Sequence, residues 1–251
     1  TNGQTLTARR AVVCNVTPQQ LYTELLSETT LPAGTLNRAG SYRYGRADMQ
    51  IHYALDAPPS WTCPELDGVA VVHLTAGLDG VSRAVNEARC GLLPAEATIV
   101  VGHPSVIDPT RAPTGGSVLW VQLQELPRRI RGDARGEIDA PDDGRWNAEL
   151  AERYADRIEG RLRATIANFD AAVVGRKVVS PSDLESMNRN LVDGDPYSGS
   201  CTVDQFLYWR PLPGTKGHGT PIKDLYHIGA STHPGPGLGG TSGYLVAKAL
   251  T

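Results

Sequence analysis

Residues Leu225 to Gly243 read LYHIGASTHPGPGLGGTSG. The apolar run at its start stops at Gly229 and opens into a segment that is rich in glycine and proline. A strand that feeds a glycine-rich turn and then a helix brings backbone N–H groups and the positive end of the helix to one point. The stretch therefore predicts a strand, a glycine loop and a helix over Ser242 to Leu250, with an anionic group or a polarised carbonyl bound at the loop.

Three glycines in this stretch, Gly235, Gly237 and Gly240, satisfy the dinucleotide-binding pattern G-x-G-x-x-G. That pattern needs a complete βαβ unit and an acidic ribose ligand further along the chain. Only 11 residues follow Gly240, which is enough for a short helix but not for the returning strand. The spacing excludes a Rossmann site here and leaves, as the alternative to an anion site, a helix N-terminus with nothing bound.

The composition is that of a globular protein. Of its 251 residues 40% are hydrophobic and 20% charged, which allows a sizeable core and two domains. A net charge of −3 and a pI near 6.1 give no general attraction to nucleic acid, so we expect no nucleic-acid partner. The apolar run Val69 to Leu74 is far shorter than the ~20 residues of a membrane span. We expect a cytoplasmic protein, with peripheral attachment to a membrane as the alternative.

The cysteines are widely spaced, and none belongs to a C-x-x-C motif or a histidine cluster. They are Cys14, Cys63, Cys90 and Cys201. This spacing favours reduced, partly buried packing residues over a disulfide framework. The six histidines are equally scattered, so we predict no metal site.

Hydrophobic periodicity predicts a mixture of short strands and helices. Ala11 to Asn15 has the pattern of a buried strand, and Pro18 to Leu26 that of a helix with Thr17 as its N-cap. Further strands are predicted at Ser41–Tyr44, Gln50–Leu55, Val69–Leu74, Thr98–Gly102 and Ser117–Gln124, and a helix near Gly80–Cys90. The alternation of apolar residues and glutamines in Val118–Leu126 indicates a sheet with one wet face. Together with the hairpin-like turns, it predicts an α+β fold with a largely antiparallel sheet covered by helices.

The strongest helix signal covers Trp146 to Asn168, where apolar residues recur every four positions. This stripe indicates a core-facing helix rather than a cofactor site. The preceding stretch, Arg128 to Gly144, is rich first in arginine and then in aspartate, and its charges nearly cancel. We expect it to be a solvated loop and not an anion site.

Taken whole, Leu225–Gly243 resembles the C-terminal flavin-binding motif of the phytoene desaturase-like FAD oxidoreductases, a branch of the amine-oxidase-like flavoproteins. Three further stretches resemble segments of that family: TARRAVVCNVTP at 7–18, ALDAPPSW at 54–61 and DPTRAPTG at 108–115. The first of these is similar to the segment that leads out of the FAD domain. The resemblance runs in order over nearly the whole chain.

The resemblance implies a domain organisation. Residues 1–17 would return into the FAD domain, 18–222 would form the substrate domain, and 223–251 would supply the last strand, glycine loop and helix of a Rossmann-like FAD domain. The family's own G-x-G-x-x-G lies at its extreme N-terminus and has no counterpart here before residue 235. We therefore expect this chain to be a C-terminal portion that pairs with the N-terminal FAD-binding portion as a separate chain; a homo-oligomer is a further expected arrangement.

The start of the chain suggests how such a portion would arise. Asn2-Gly3 followed by Gln4 to Arg9 has the pattern of a hairpin turn that enters its second strand. Processing, nicking at this exposed turn or the choice of a boundary would each produce the observed start. A sharper alternative makes Thr1 a nucleophile that cut its own chain.

The family's activity implies that FAD exchanges a hydride with a largely apolar or aromatic small substrate. The expected flavin contacts are Gly229, Ala230, Ser231, Gly237, Leu238, Gly239, Gly240 and Thr241. His233 is the candidate catalytic residue that touches the ring or the substrate, and its alternative is a structural role. Phe206 and Trp209, in the segment Asp204 to Pro211, are the candidate cavity wall, and their alternative is packing beneath the sheet.

Two other functions remain open from the sequence. One is an amine-oxidase-like flavoprotein that acts on C–N bonds, which an aromatic cage beside the flavin would distinguish. The other is a noncatalytic subunit that binds flavin or serves as a scaffold, which a flavin that is missing or not reducible would favour.

Overall fold

The computed structural model describes residues 3–26, 31–237 and 240–251. The chain divides into two compact units. We call Thr1–Gly45 with Asn190–Thr251 the terminal unit and Arg46–Arg189 the central unit. This division does not test which residues belong to a flavin domain, so the boundaries 1–17, 18–222 and 223–251 stay a prediction.

The strands are β1 Val12–Cys14, β2 Ala47–Leu55, β3 Val71–Leu74, β4 Leu92–Leu93, β5 Ile99–Gly102, β6 Ser117–Leu126, β7 Gly132–Asp133, β8 Val173–Val179 and β9 Leu225–His227. The α-helices are α1 Thr35–Gly40, α2 Gly77–Arg89, α3 Ala148–Thr165, α4 Phe169–Ala172, α5 Pro181–Met187 and α6 Thr241–Leu250. Gln20–Leu25 forms a π-helical segment. None of these described helices has both the length and the apolarity that crossing a membrane requires.

The central unit is built on a five-stranded sheet with the order β3-β5-β6-β2-β8. Every neighbouring pair in it is antiparallel, as the sequence predicts. In β6, Val121 and Leu123 are fully buried while Gln122 and Gln124 are only partly buried. The predicted alternation is therefore confirmed, and it directs the apolar face of the sheet toward the core.

The helix α3 supplies the other side of this core. Leu150, Tyr154, Ile158 and Leu162 are buried in one cluster with the apolar residues of β2 and β6, which confirms the predicted stripe. The helix starts at Ala148 rather than Trp146 because the side chain of Asn147 caps its first turn, accepting a hydrogen bond from the backbone N–H of Leu150 at 2.9 Å. It ends at Thr165 rather than Asn168, because Ile166 has an extended backbone.

The segment Arg128–Gly144 is not the solvated loop that its charges predict. Ile130 and Ile138 are 3% and 7% exposed and belong to the core. The side chain of Asp133 is fully buried and is paired with Arg157 of α3. The charges within the segment nearly cancel, but this sum gives no information about Arg157, which lies 24 residues from Asp133 in sequence.

In the terminal unit, β1 and β9 form a two-stranded parallel sheet in which Val12 lies opposite Leu225 and Cys14 opposite His227. Both strands are predicted by the sequence, but the expected burial of β1 is wrong. Val12 and Val13 are 49% and 46% exposed. Parallel strands are normally covered on both faces, and the described residues of this unit leave these two valines uncovered.

Other local predictions also need correction. Residues 41–44 form no strand, and residues 4–8 form no strand either. Instead of pairing in a sheet, Tyr42 is held by its side chain, whose hydroxyl donates to the carbonyl of Ser198 at 2.9 Å. Cys63, Cys90 and Cys201 are exposed rather than partly buried, and only Cys14 is half-buried as expected. The predictions about Thr1 and Asn2 lie outside the described residues.

The segment after Thr17 keeps its predicted helical start but becomes a π-helix. The hydroxyl of Thr17 accepts from the backbone N–H of Gln20 at 3.4 Å, and the backbone N–H of Thr17 donates to Gln20 Oε1 at 3.1 Å. This is the reciprocal arrangement of a capping box. Thr17 thus acts at the helix start, as predicted.

A second capping box, at the start of α5, was not foreseen. Ser180 Oγ accepts from the backbone N–H of Asp183 at 3.1 Å, and Asp183 Oδ2 accepts from the backbone N–H of Ser180 at 2.9 Å. We expect Ser180→Ala to lower the free energy of unfolding by about 1 kcal/mol, because it leaves a helix N–H without an acceptor. Urea unfolding measures the loss. Ser180→Thr keeps the oxygen and should lose much less; equal losses would contradict the capping role.

Candidate functional site

The candidate site is the glycine loop, residues 229–240, which joins β9 to α6. At its start Gly229 has φ 101°, and its N–H donates to Ser242 Oγ in α6 at 3.0 Å. A Cβ at Gly229 would overlap the carboxamide of Asn15. Since L-residues rarely adopt this φ, backbone conformation requires glycine here, and any larger residue would also have to displace the side chain of Asn15.

Buried polar side chains hold the loop against the end of β1. Ser231 and His227 are both 1% exposed, and both donate to the carbonyl of Val16, from Ser231 Oγ at 2.9 Å and from His227 Nε2 at 2.7 Å. Burial lowers the pKa of His227 to about 4 despite this bond, so the imidazole is neutral at physiological pH. Thr232 Oγ1 donates to the carbonyl of Gly229 at 2.8 Å. The loop is thus fixed both to Val16 and by a bond within itself.

Arg210 ties the loop to the preceding segment. It is 1% exposed and donates to the backbone carbonyls of Tyr197 at 2.9 Å, Gly199 at 2.6 Å and Ala230. Its guanidinium carbon lies 5.4 Å from the ring centre of Phe206. The anchoring role of Arg210 was not predicted, because an arginine that donates to backbone carbonyls has no characteristic spacing pattern in the sequence.

An aromatic group lies beside the loop. The rings of Tyr208 and His233 are stacked, with centres 5.2 Å apart and planes 19° from parallel. His233 Nδ1 is buried and has no hydrogen-bond partner among the described residues. Phe206 lies so close to Gly235 that a Cβ there would come within 2.9 Å of its ring. The structure therefore brings His233 and Phe206, both predicted site residues, to the glycine loop, and it adds Tyr208.

The other predicted residues are less closely grouped. Trp209 follows Tyr208 in the same turn and is 50% exposed. Gly237 is exposed within the loop. Leu238 and Gly239 lie outside the described residues. The roles assigned to Gly229, Ala230, Ser231 and the other loop residues stay predictions.

The helix α6 begins at Thr241, and Gly240 with φ 58° occupies the position before it. Glycine has no side chain to cap the first turn, and the first N–H groups of a helix have no partner within it. These donors and the positive end of the helix dipole favour an acceptor or an anion at this point. The binding of an anionic group or a polarised carbonyl at the loop stays a prediction.

The central unit contains a second group of titratable residues, which the sequence did not reveal. Asp48 is 1% exposed, and its Oδ2 accepts from Gln122 Nε2 at 2.8 Å. Burial raises the pKa of Asp48 to about 7 and also raises the pKa of Glu125, which is 9% exposed. Their proximity depends on the pairing of β2 with β6, which no local pattern specifies.

Known proteins resemble this chain over most of its length. A rat protein named pyridine nucleotide-disulfide oxidoreductase domain-containing protein 2 is 27% identical over 243 residues, which are 93% of this chain and 40% of that protein. A lycopene-forming phytoene desaturase from a Paracoccus strain is 28% identical over 252 residues, covering 99% of this chain and 45% of the desaturase. The chain is homologous to the phytoene desaturase-like oxidoreductases.

The chain matches only part of each of these two relatives. The chain spans less than half of their length, and it corresponds to their C-terminal portions. No protein-family model matches it. A crystal structure of an oxidoreductase from Methanosarcina mazei aligns with a TM-score of 0.47 at 15% identity, over 96% of this chain and 43% of that one.

Proposed function

We propose that the chain supplies the substrate domain and the C-terminal flavin-contacting loop of an FAD-dependent oxidoreductase. The observation that carries the proposal is the glycine loop, where the uncapped start of α6 and the unpartnered Nδ1 of His233 lie in one structural unit. The relatives named as oxidoreductases and desaturases support the same class of reaction.

The residues of the loop fit the edge of a flavin. Gly229 has no side chain that would keep a ligand from the backbone, and Ala230 and Ser231 follow it on a segment held by Arg210 and Val16. These residues would lie along the ribityl and diphosphate side of FAD. Gly237 to Thr241 would present backbone N–H groups to the isoalloxazine ring, where negative charge develops on reduction.

Bound FAD would accept a hydride from a substrate C–H bond or return one to a C=C bond. The residues of the chain would orient the substrate and exclude water. Phe206, Tyr208 and Trp209 offer apolar faces for this task. Trp209 is half-exposed, and Tyr208 is 80% exposed although one face of its ring stacks on His233. His233, fixed by its stack on Tyr208, would hydrogen-bond the ring or the substrate through Nδ1.

The proposed partner is a separate chain that carries the N-terminal FAD-binding portion. Val12 and Val13 support this, because they leave an apolar surface open on the β1–β9 sheet. Further strands of a Rossmann-like sheet and a covering helix would bury them. The substrate is proposed to be a largely apolar or aromatic small molecule.

The test is native purification of the protein, with a visible absorption spectrum and intact-mass analysis of every copurifying chain. We expect flavin bands together with a polypeptide that carries G-x-G-x-x-G, and bleaching of the bands when an apolar polyene is added without oxygen. A colourless 26.9 kDa species that also fails to bind added FAD in the presence of the flavin-domain polypeptide would refute the proposal. A bound flavin that no reductant bleaches would favour the noncatalytic subunit.

His233 offers a sharper prediction within this proposal. In the reconstituted protein, His233→Leu should leave flavin content unchanged and slow flavin reduction by about 10²-fold, because the hydrogen bond from Nδ1 is lost while the packing remains. Stopped-flow bleaching of the flavin bands measures this rate. The matched control is His73→Leu on the exposed side of β3, and equal rates in the two variants would exclude a role for His233 at the site.

A further inference from the structure

The five-stranded sheet of the central unit ends in two edge strands, β3 and β8. An edge strand presents a row of unpaired backbone N–H and C=O groups, and proteins protect such strands with charged side chains, prolines, bulges or a cover. β8 contains Arg176 and Lys177, and its pairing with β2 has a register shift. This edge therefore has the features that prevent association with another sheet.

β3 has none of these protecting features. Its described residues, Val71 to Leu74, include no lysine, arginine, aspartate, glutamate or proline, and their pairing with β5 has no register shift. Val71 is 47% exposed although it is apolar, and His73 is exposed as well. The described residues of the central unit thus leave an uncharged edge open at β3.

The pairing with β5 shows which backbone groups of β3 face this edge. The backbone N–H of His103 donates to the carbonyl of Ala70 at 2.7 Å, and Val71 lies opposite Gly102. Along an antiparallel pair, residues that bond to the neighbouring strand alternate with residues whose N–H and C=O groups point away from it. Val71 and His73 are the residues that point away, so a further strand can bond to them.

The outward-facing groups of β3 are complementary to those of a second β3. If a second copy runs antiparallel about a two-fold axis at Val72, Val71 of each copy lies opposite His73 of the other. Each such pair exchanges both of its N–H···O=C bonds. These bonds use the main chain, so the imidazole of His73 takes no part in them.

Charge favours a second copy as the occupant of this edge. Pairing of a strand with itself brings identical residues close together, and like charges that face each other across two strands are destabilising. β3 has no lysine, arginine, aspartate or glutamate that could meet its own copy. Self-pairing of β8 would instead bring the lysines at position 177 of the two copies together.

Two exposed apolar side chains flank β3. Leu78 is 85% exposed and lies in the first turn of α2, and Ile107 is 77% exposed and follows His103, which is bonded to the residue before β3. In the antiparallel arrangement the end of one β3 lies beside the start of the other. Leu78 of one copy and Ile107 of the other therefore belong to the same end of the contact, where they add apolar area to it.

We propose that two copies of this chain associate through antiparallel pairing of their β3 strands, which joins the two five-stranded sheets into one continuous sheet. The two-fold symmetry closes the assembly, and the edges that remain free are the two charged β8 strands. The contact lies wholly within the central unit and does not rest on flavin binding by the terminal unit.

The test is sedimentation velocity of the full chain over a dilution series, with Val71→Lys and Val174→Lys as matched variants. Both valines lie on edge strands and are exposed, at 47% and 65%, so either lysine stays solvated in a monomer. We expect a reversible dimer of twice 26.9 kDa for the parent and for Val174→Lys. Val71→Lys should raise the dissociation constant about tenfold or more, because it places a charge on the paired edge.

Three outcomes of this series would overturn the proposal. One is a parent that stays monomeric at every concentration. Another is a dimer whose dissociation constant Val71→Lys leaves unchanged, since the contact would then use a different surface. The third is equal weakening by Val71→Lys and Val174→Lys, because the effect would then not depend on which edge carries the charge.

Amide hydrogen exchange of the parent decides the question if Val71→Lys does not fold. In concentrated protein the backbone N–H groups of Val71 and His73 should exchange about tenfold or more slowly than in dilute protein, because pairing protects them. Equal exchange at both concentrations would contradict the proposed contact. Protection of these groups in a complex of one copy with the flavin-domain polypeptide would also overturn it, since that polypeptide would then occupy the edge.

Discussion

Replacing Gly229 with alanine is expected to abolish flavin retention and to lower the free energy of unfolding by about 1–3 kcal/mol. The backbone at this position has φ 101°, and the new Cβ would overlap the carboxamide of Asn15. The exposed side chain of Asn15 can turn away from the new Cβ, but an L-residue is strained at this φ, and relief of that strain requires the start of the glycine loop to move. Such a shift would break the hydrogen bond from Gly229 to Ser242 Oγ and displace the N–H groups that face the proposed flavin.

The matched control is Gly243→Ala, in the first turn of α6. Gly243 has no positive φ, and a Cβ there would make ordinary contact with Ile228 at 3.7 Å. Alanine favours a helix over glycine by about 1 kcal/mol, so this variant should be as stable as the parent or more stable. Thermal unfolding and the flavin absorbance of the reconstituted protein measure both effects. If the two variants retained flavin equally, the glycine loop would not be the flavin site.

Local sequence patterns predicted those elements whose apolar residues recur regularly within the element itself. The four-residue stripe of α3 and the alternation in β6 each recur within one element, so burial of one face follows from that element alone. The glycine loop was recognised for a similar reason, since Gly229 and Gly240 occupy backbone conformations that favour glycine. The family resemblance extended these local signals into a hypothesis about flavin.

Features that depend on distant partners could not be predicted. Strand β8 has a mixed burial pattern because its position beside β2 places it at the edge of the sheet. The role of Arg210 requires the carbonyl of Ala230, 20 residues away, to be in place. The outward-facing backbone of Val71 and His73 follows from the pairing of β3 with β5. In each case the decisive neighbour is set by tertiary structure.

The largest stability effect is expected from Asp133→Ala in the central unit. The side chains of Asp133 and Arg157 are 0% and 7% exposed, and they form two parallel hydrogen bonds of 2.7 and 2.6 Å. Removing one partner of a buried ion pair typically costs about 3–5 kcal/mol, and Arg157 would keep only the longer contact to Glu137 at 3.2 Å, a carboxylate that is 59% exposed. Asp133 also accepts from the backbone N–H groups of Glu137 and Ile138, so the loop after β7 would loosen as well.

The control for this variant is Asp170→Ala, which removes an ion pair with Arg163 of similar length, 2.6 Å, at the surface. Its side chains are 69% and 45% exposed, and Arg163 keeps its second partner Glu159. A loss of less than about 1 kcal/mol is expected here. Urea unfolding of both variants at neutral pH provides the comparison, and similar losses would mean that burial does not set the strength of the Asp133 pair.

The Asp133–Arg157 pair also predicts how the difference in unfolding free energy between the parent and Asp133→Ala depends on pH. Burial by itself raises the pKa of Asp133, but the hydrogen bonds from Arg157 and from the backbone N–H of Glu137 outweigh it and hold the pKa at about 2. An aspartate in an unfolded chain has a pKa of about 3.9. Because the folded value is the lower one, the stabilisation is complete above the unfolded pKa and is lost as pH falls toward the folded value. The stability advantage of the parent over Asp133→Ala should therefore be constant above about pH 5 and shrink between about pH 4 and pH 2. Urea midpoints measured across this range decide the matter, since an advantage that stayed constant down to about pH 2 would mean that the Asp133 carboxylate does not contribute through its charge.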